Sequence, residues 1–135
     1  MIKEINKSFK RGDVVLVDLG IREGSVQGGV RPVVLVGNNM SNTYSSAITV
    51  LPITSKVGKR TIPTHVMLTS KNSGVEVDSI VMAEQITTID KIQIKNLEPF
   101  FTLNNFMMYK IGFALIIQLA LNMFMTNKDK ELISA

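Results

Sequence analysis

Residues 24–36 read Gly24-Ser25-Val26-Gln27-Gly28-Gly29-Val30-Arg31-Pro32-Val33-Val34-Leu35-Val36, and the fold turns on them. The first half, with its glycines, serine and glutamine, suits a mobile loop that exposes backbone N–H groups. The second half is a continuous apolar run rich in valine, which suits a strand buried on both faces. Arg31 stands at the joint. Proline is tolerated at the first residue of a strand, so Pro32 marks where the loop should stop and the sheet begin. It also biases Arg31 toward an extended backbone. The stretch thus predicts a guanidinium at the mouth of a rigid strand, beside a loop able to close over an anion. A hairpin loop with an ordinary surface arginine is the alternative, because glycine-rich loops before strands are common.

Toward the N-terminus, residues 1–10 are polar and read as frayed or loosely helical, and Gly12-Asp13 opens a strand over 14–17. Toward the C-terminus, residues 37–43 are rich in turn formers and form a connection with room for one helical turn. A third strand follows at 47–53, whose end Pro52 demotes to an edge or bulge. A basic loop over 54–61 leads to strands at 63–68 and 79–83 and to one or two short strands within 86–94. Many short strands at close spacing predict a small barrel or a strongly curved sheet. From Asn104 to Met125 there is no proline and Leu, Ala, Met and Ile dominate, which predicts a helix. Asn104 or Asn105 is its expected N-cap and Asn127 its expected end. Its densest apolar run is shorter than the roughly 20 residues that cross a bilayer, which disfavours a membrane span. A helix apolar nearly all round needs cover on two sides: its own sheet and a partner, most commonly an identical subunit. A single domain over 1–135 is expected, with a barrel at about 9–100 and a helix at about 104–126.

A chain of 135 residues that is 45% hydrophobic can bury one sizeable core. It has no cysteine, which removes disulfides, thiolate nucleophiles and most structural zinc sites. The first seven residues lack the apolar segment of a secretory signal, so a cytoplasmic location is expected. The net charge is only +4, yet no carboxylate falls between Glu23 and Glu76, where Arg31, Lys56, Lys59, Arg60, His65 and Lys71 all lie. Such a one-signed window predicts an anionic partner, nucleic acid foremost, against the alternative of a solvated basic face. Asp13 and Asp18 bracket a strand at odd spacing and so point to opposite faces, and there is one histidine. Neither a metal site nor a cofactor is therefore expected. What remains is polar and cationic: Ser25, Gln27, Arg31, Thr54, Ser55, Lys56 and His65. That set can position a phosphodiester and stabilise charge on its oxygens, and RNA brings its own nucleophile, the 2′-hydroxyl.

Five blocks follow one another in order: Arg11-Gly12-Asp13-Val14, residues 24–33, Ile53-Thr54-Ser55-Lys56, Pro63-Thr64-His65-Val66 and Glu84-Gln85-Ile86. The series resembles the MazF/PemK (Kid) family of toxin endoribonucleases over roughly residues 9–95. The resemblance implies a mainly β, SH3-like small barrel with a C-terminal helix, assembled as a homodimer. It also implies metal-independent cleavage of single-stranded RNA at short sequences and restraint by a cognate antitoxin. Arg31 would take part in proton transfer and phosphate stabilisation, and Thr54 would support the phosphate. Ser25, Gln27, Gly28, Gly29, Ser55, Lys56, His65, Glu84 and Gln85 would bind RNA. Two positions depart from the pattern: Val26 stands where relatives often carry an acid, and Thr87 where many carry arginine, so base specificity is not carried over. Structural alternatives stay open. Arg31 could salt-bridge Glu84 or Asp78, His65 could be a hydrogen-bonded structural residue, and Lys56, Lys59 and Arg60 could supply general phosphate attraction only. A non-catalytic toxin of the same fold, binding a target such as DNA gyrase, is the competing function, and a membrane-associated protein is a third.

Overall fold

The computed structural model describes residues 8–24, 26–58 and 62–124. Ser25, Lys59, Arg60, the loosely helical reading of residues 1–7 and the expected helix end at Asn127 lie outside the described residues. The elements run β1 (Asp13–Asp18), β2 (Val30–Leu35), α1 (Asn39–Tyr44), β3 (Ala47–Thr54), β4 (His65–Leu68), β5 (Ser79–Met82), β6 (Thr87–Asp90), β7 (Phe101–Thr102) and α2 (Asn105–Phe124). Single 3₁₀ turns at Ala83–Gln85 and Lys91–Gln93 flank β6.

Every strand pair is antiparallel, in the order β4-β5-β3-β2-β1-β7, with β6 attached to β3. β3 is the pivot. Its first half pairs with β6 and its last two residues with β5, so the sheet curls through it into a half-barrel. Alternation along the strands fills two cores. Val14, Val34, Leu51, Ile53, Val66 and Val81 pack under Met107, Met108, Ile111 and Ala114 of α2. On the other side Phe9, Val15, Val17, Val33, Leu35, Ile48, Val50, Ile89 and Ile94 form the second cluster. Asn104 caps α2 as expected: its side chain accepts from the Met107 N–H at 2.9 Å.

Pro32 and Pro52 sit inside strands rather than at their ends, which corrects the sequence reading. β2 starts at Val30, two residues before Pro32. Leu16, opposite Pro32, donates its N–H to Asn96 Oδ1 and accepts from the Lys95 N–H, so its polar groups face away from β2. Pro32 therefore costs that ladder no hydrogen bond. Its missing donor acts on the other edge, where the β2–β3 register would have it donate to Ile53. The ladder ends at Val33↔Pro52.

Pro52 likewise lies in the central strand, not on an edge or bulge. The Val36 N–H donates to the Thr49 carbonyl, so Thr49 and Leu51 turn their polar groups toward β2 and Pro52 turns its nitrogen the other way. There it meets the gap between β6, whose pairing stops at Val50, and β5, whose pairing starts at Ile53.

Candidate active site

The β2–β3 ladder ends at Val33↔Pro52, and the same register carried two residues further points Arg31 and Thr54 toward each other's strand. Both share the side of the sheet that carries Val33, Leu35 and Val50. Pro32 ends the ladder at this point, so the two residues stand where β2 and β3 are released from each other. Thr54 is buried, and its Oγ1 accepts from the Lys56 N–H at 3.1 Å, a local turn that fixes where the hydroxyl lies. Arg31 is half-buried, and its Nε–H donates to the Gly28 carbonyl at 2.8 Å, which leaves the two terminal nitrogens uncommitted to that bond. The ion pair seen among the described residues is His65–Glu84, so Arg31 is bridged to neither Glu84 nor Asp78.

The loop that brings Gly28 to Arg31 needs its glycines. Gly29 has φ +72°, and a Cβ on Gly28 would lie 2.8 Å from the Gly20 carbonyl oxygen. The Gly29 N–H donates to that same oxygen at 2.7 Å, and the Leu19 N–H donates to the Gly29 carbonyl at 2.9 Å, closing the neck of the loop. Farther out, the Gln27 N–H donates to Gln85 Oε1 at 2.7 Å.

Gln85 and Glu84 come from the 3₁₀ turn after β5. The register Thr54↔Ile80 and His65↔Met82 puts His65, Met82, Ile80 and Thr54 on the same side of the sheet. His65 Nε2 and Glu84 Oε2 are 2.6 Å apart, and Thr64 Oγ1 donates to Glu84 Oε1 at 3.1 Å. Both carboxylate oxygens are thus engaged, while His65 Nδ1 is buried without a hydrogen-bond partner. Ser55 and Lys56 are exposed at the end of β3. Among the described residues, no three of His, Cys, Asp and Glu gather where a metal ion could sit.

Sequence reasoning missed Arg22 and Thr87 as a pair. Arg22 Nη2 donates to Thr87 Oγ1 at 3.3 Å across 65 residues of chain, and Arg22 Nε donates to the Leu19 carbonyl at 3.1 Å. The signal was the unusual Thr87, which had no visible counterpart in the loop.

An antiparallel half-barrel that turns an arginine, a threonine hydroxyl and a glycine-rich loop to one side has the makings of a phosphodiester-handling protein. The chain belongs to the PemK-like, MazF-like toxins of type II toxin–antitoxin systems, whose family model matches residues 10–119. Endoribonuclease MazF of Staphylococcus epidermidis is 43% identical over 121 residues, spanning 90% of this chain and 99% of that protein. Among solved structures, an endoribonuclease in complex with its cognate antitoxin from a mycobacterial species matches with TM-score 0.65 and 28% identity, covering 84% of this chain and 96% of that one. MazF from Deinococcus radiodurans shares the fold at TM-score 0.68 and 19% identity, over 83% and 96% of the two chains.

Proposed function

We propose that this chain is a sequence-specific, metal-independent endoribonuclease toxin that cleaves single-stranded RNA by attack of the substrate's own 2′-hydroxyl and is neutralised by a cognate antitoxin. Its support is family membership together with the β2–β3 register, which, carried one step past its last pair, Val33↔Pro52, points Arg31 and Thr54 to the same side of the sheet. Arg31 and Thr54 are the catalytic pair in this reading. The loop residues Ser25, Gln27, Gly28 and Gly29, with Ser55, Lys56 and Gln85, hold the strand, and the His65–Glu84 pair braces the turn that carries Gln85. The DNA gyrase-binding alternative would use the same barrel without needing Arg31 and Thr54 in this relation.

The decisive experiment is digestion of a mixed RNA pool with mapping of the cut ends. Cleavage should persist in EDTA, because the chemistry assigned to Arg31 and Thr54 is hydrogen bonding and charge stabilisation rather than activation of water by an ion. Loss of cutting in EDTA, restored by magnesium, would reject that. The rate below saturation should also fall steeply with added salt, since an acid-free window attracts phosphates electrostatically.

The active assembly is a homodimer in this reading. α2 buries Met107, Met108, Ile111 and Ala114 in its own core but leaves Phe106, Tyr109, Phe113, Ile116 and Leu119 exposed. Phe106, Tyr109 and Phe113 of that stripe line a groove of about 490 Å³ with Met67 of β4 and Pro63 just before it. A contiguous apolar face of this kind calls for a partner, and an identical subunit is the commonest one. Phe113→Glu should give a folded monomer by sedimentation. Leu115→Glu should unfold the chain, because Leu115 packs against the core. A parent protein that sediments as a stable monomer would dispose of the dimer. Among the described residues, no helix is long and apolar enough to cross a membrane.

A further inference from the structure

Arg31 is aimed by a single hydrogen bond, from its Nε–H to the Gly28 carbonyl. Gly28 lies between the Gly20 carbonyl and Arg22. Gly28 is packed so tightly that an added Cβ would lie 3.3 Å from the Arg22 backbone nitrogen and 3.5 Å from the Arg22 Cβ. The Arg22 side chain then leaves the loop, donating to the Leu19 carbonyl and, across to β6, to Thr87 Oγ1. Thr87 is itself held on the sheet by its pairing with Val50. Thr87 on β6 is thus hydrogen-bonded to Arg22, Arg22 lies close against Gly28, and the Gly28 carbonyl holds Arg31.

We propose that Arg22 is a positioning residue for Arg31, seated by Thr87 and acting through Gly28. This rests on the nuclease reading above. The physical reason is the fork of the guanidinium. Two parallel N–H···O bonds to a phosphate need the plane of Arg31 fixed, and a loop free to shift Gly28 would let that plane swing. Misplacement of a reacting group by about 1 Å can cost on the order of 100-fold in rate. Only an acceptor at position 87 can hold Arg22, since a guanidinium has donors and no lone pair to offer. Threonine and serine meet that need; valine has the same shape and does not.

Thr87→Val, Thr87→Ser, Arg22→Ala and Arg22→Lys form the test, each read for single-turnover rate at saturating RNA. The dissociation constant of a non-cleavable 2′-deoxy strand and the Arg31 Nε–H signal in a ¹H–¹⁵N spectrum are measured alongside. Thr87→Val and Arg22→Ala should lower the saturated rate by about tenfold or more while affinity moves less than about threefold. Thr87→Ser should keep the parent rate. Arg22→Lys should not, because one ammonium cannot reproduce the planar two-point link. The Arg31 Nε–H signal should shift and broaden in the slow variants and stay in place in Thr87→Ser. An unchanged rate in Thr87→Val, a loss confined to affinity, or an unmoved Arg31 signal would each overturn the proposal. A parent that fails to cut RNA would remove the nuclease reading instead, and the Arg31 signal would still report whether Arg22 holds it.

Discussion

Arg31→Ala should lower the cleavage rate by about 10³-fold while the protein stays folded and dimeric and binds a non-cleavable strand nearly as well as the parent. The size follows from where the charge sits. The guanidinium is half-buried, carries no carboxylate partner among the described residues, and is held by its Nε–H on the Gly28 carbonyl. A charge so placed is already oriented before negative charge builds on the phosphate oxygens, so little reorganisation is needed at the moment of reaction. Arg31→Lys should recover little of the loss. A lysine keeps the charge but not the fork, and it has no Nε–H to give to Gly28. Thr54→Val should be milder, about 10- to 100-fold, because it removes one neutral donor and frees the Lys56 N–H. Thr54→Ser should stay near the parent rate. Single-turnover cleavage at saturating RNA, with circular dichroism and sedimentation as controls, separates these cases. An Arg31→Ala protein that cuts at the parent rate would end the proposed mechanism.

Much of this arrangement could be read from the residues, and the failures are as physical as the successes. The apolar runs at 14–17, 33–36 and 47–53 carry strong strand signals, and they became β1, β2 and β3, the walls of the site. Pro32 and Pro52 misled because a proline reads as the end of a strand. In an antiparallel ladder every second residue faces away from a given neighbour, so the missing N–H of Pro52 falls where β3 has no partner, while that of Pro32 costs β1 nothing and only ends the ladder to β3. Neither the changeover from β6 to β5 along β3 nor the turning of Leu16 toward Asn96 leaves a local trace in the chain. β7, at two residues, is too short to show any period. Within the site, Arg31 and Thr54 could be named from resemblance, but that they point to the same side of the sheet needed the register. The link between Arg22 and Thr87 was illegible because it joins a loop to a strand far along the chain. The apolar C-terminal helix was anticipated, and the structure adds which side of it is already covered.

A single 2′-deoxy substitution on the 5′ side of the scissile phosphate should stop cleavage, with binding almost unchanged. The residues gathered here offer no thiol, no serine beside a free base and no clustered carboxylates, so the protein supplies no evident nucleophile of its own. The ribose 2′-oxygen sits next to the phosphorus it would attack, which turns the step into an intramolecular one. Arg31 and Thr54 would then stabilise the added negative charge as phosphorus becomes five-coordinate. Breaking the bond to the 5′-oxygen leaves a 2′,3′-cyclic phosphate on one fragment and a free 5′-hydroxyl on the other. An arginine is a poor proton acceptor, and both oxygens of Glu84 already hold His65 and Thr64. The products do not depend on which group takes the proton, so the ends report the route directly. Mass spectrometry of the fragments reads them, and the deoxy-substituted strand is the control. Fragments with 5′-phosphates, or efficient cutting of that strand, would mean that water or a side chain attacks instead.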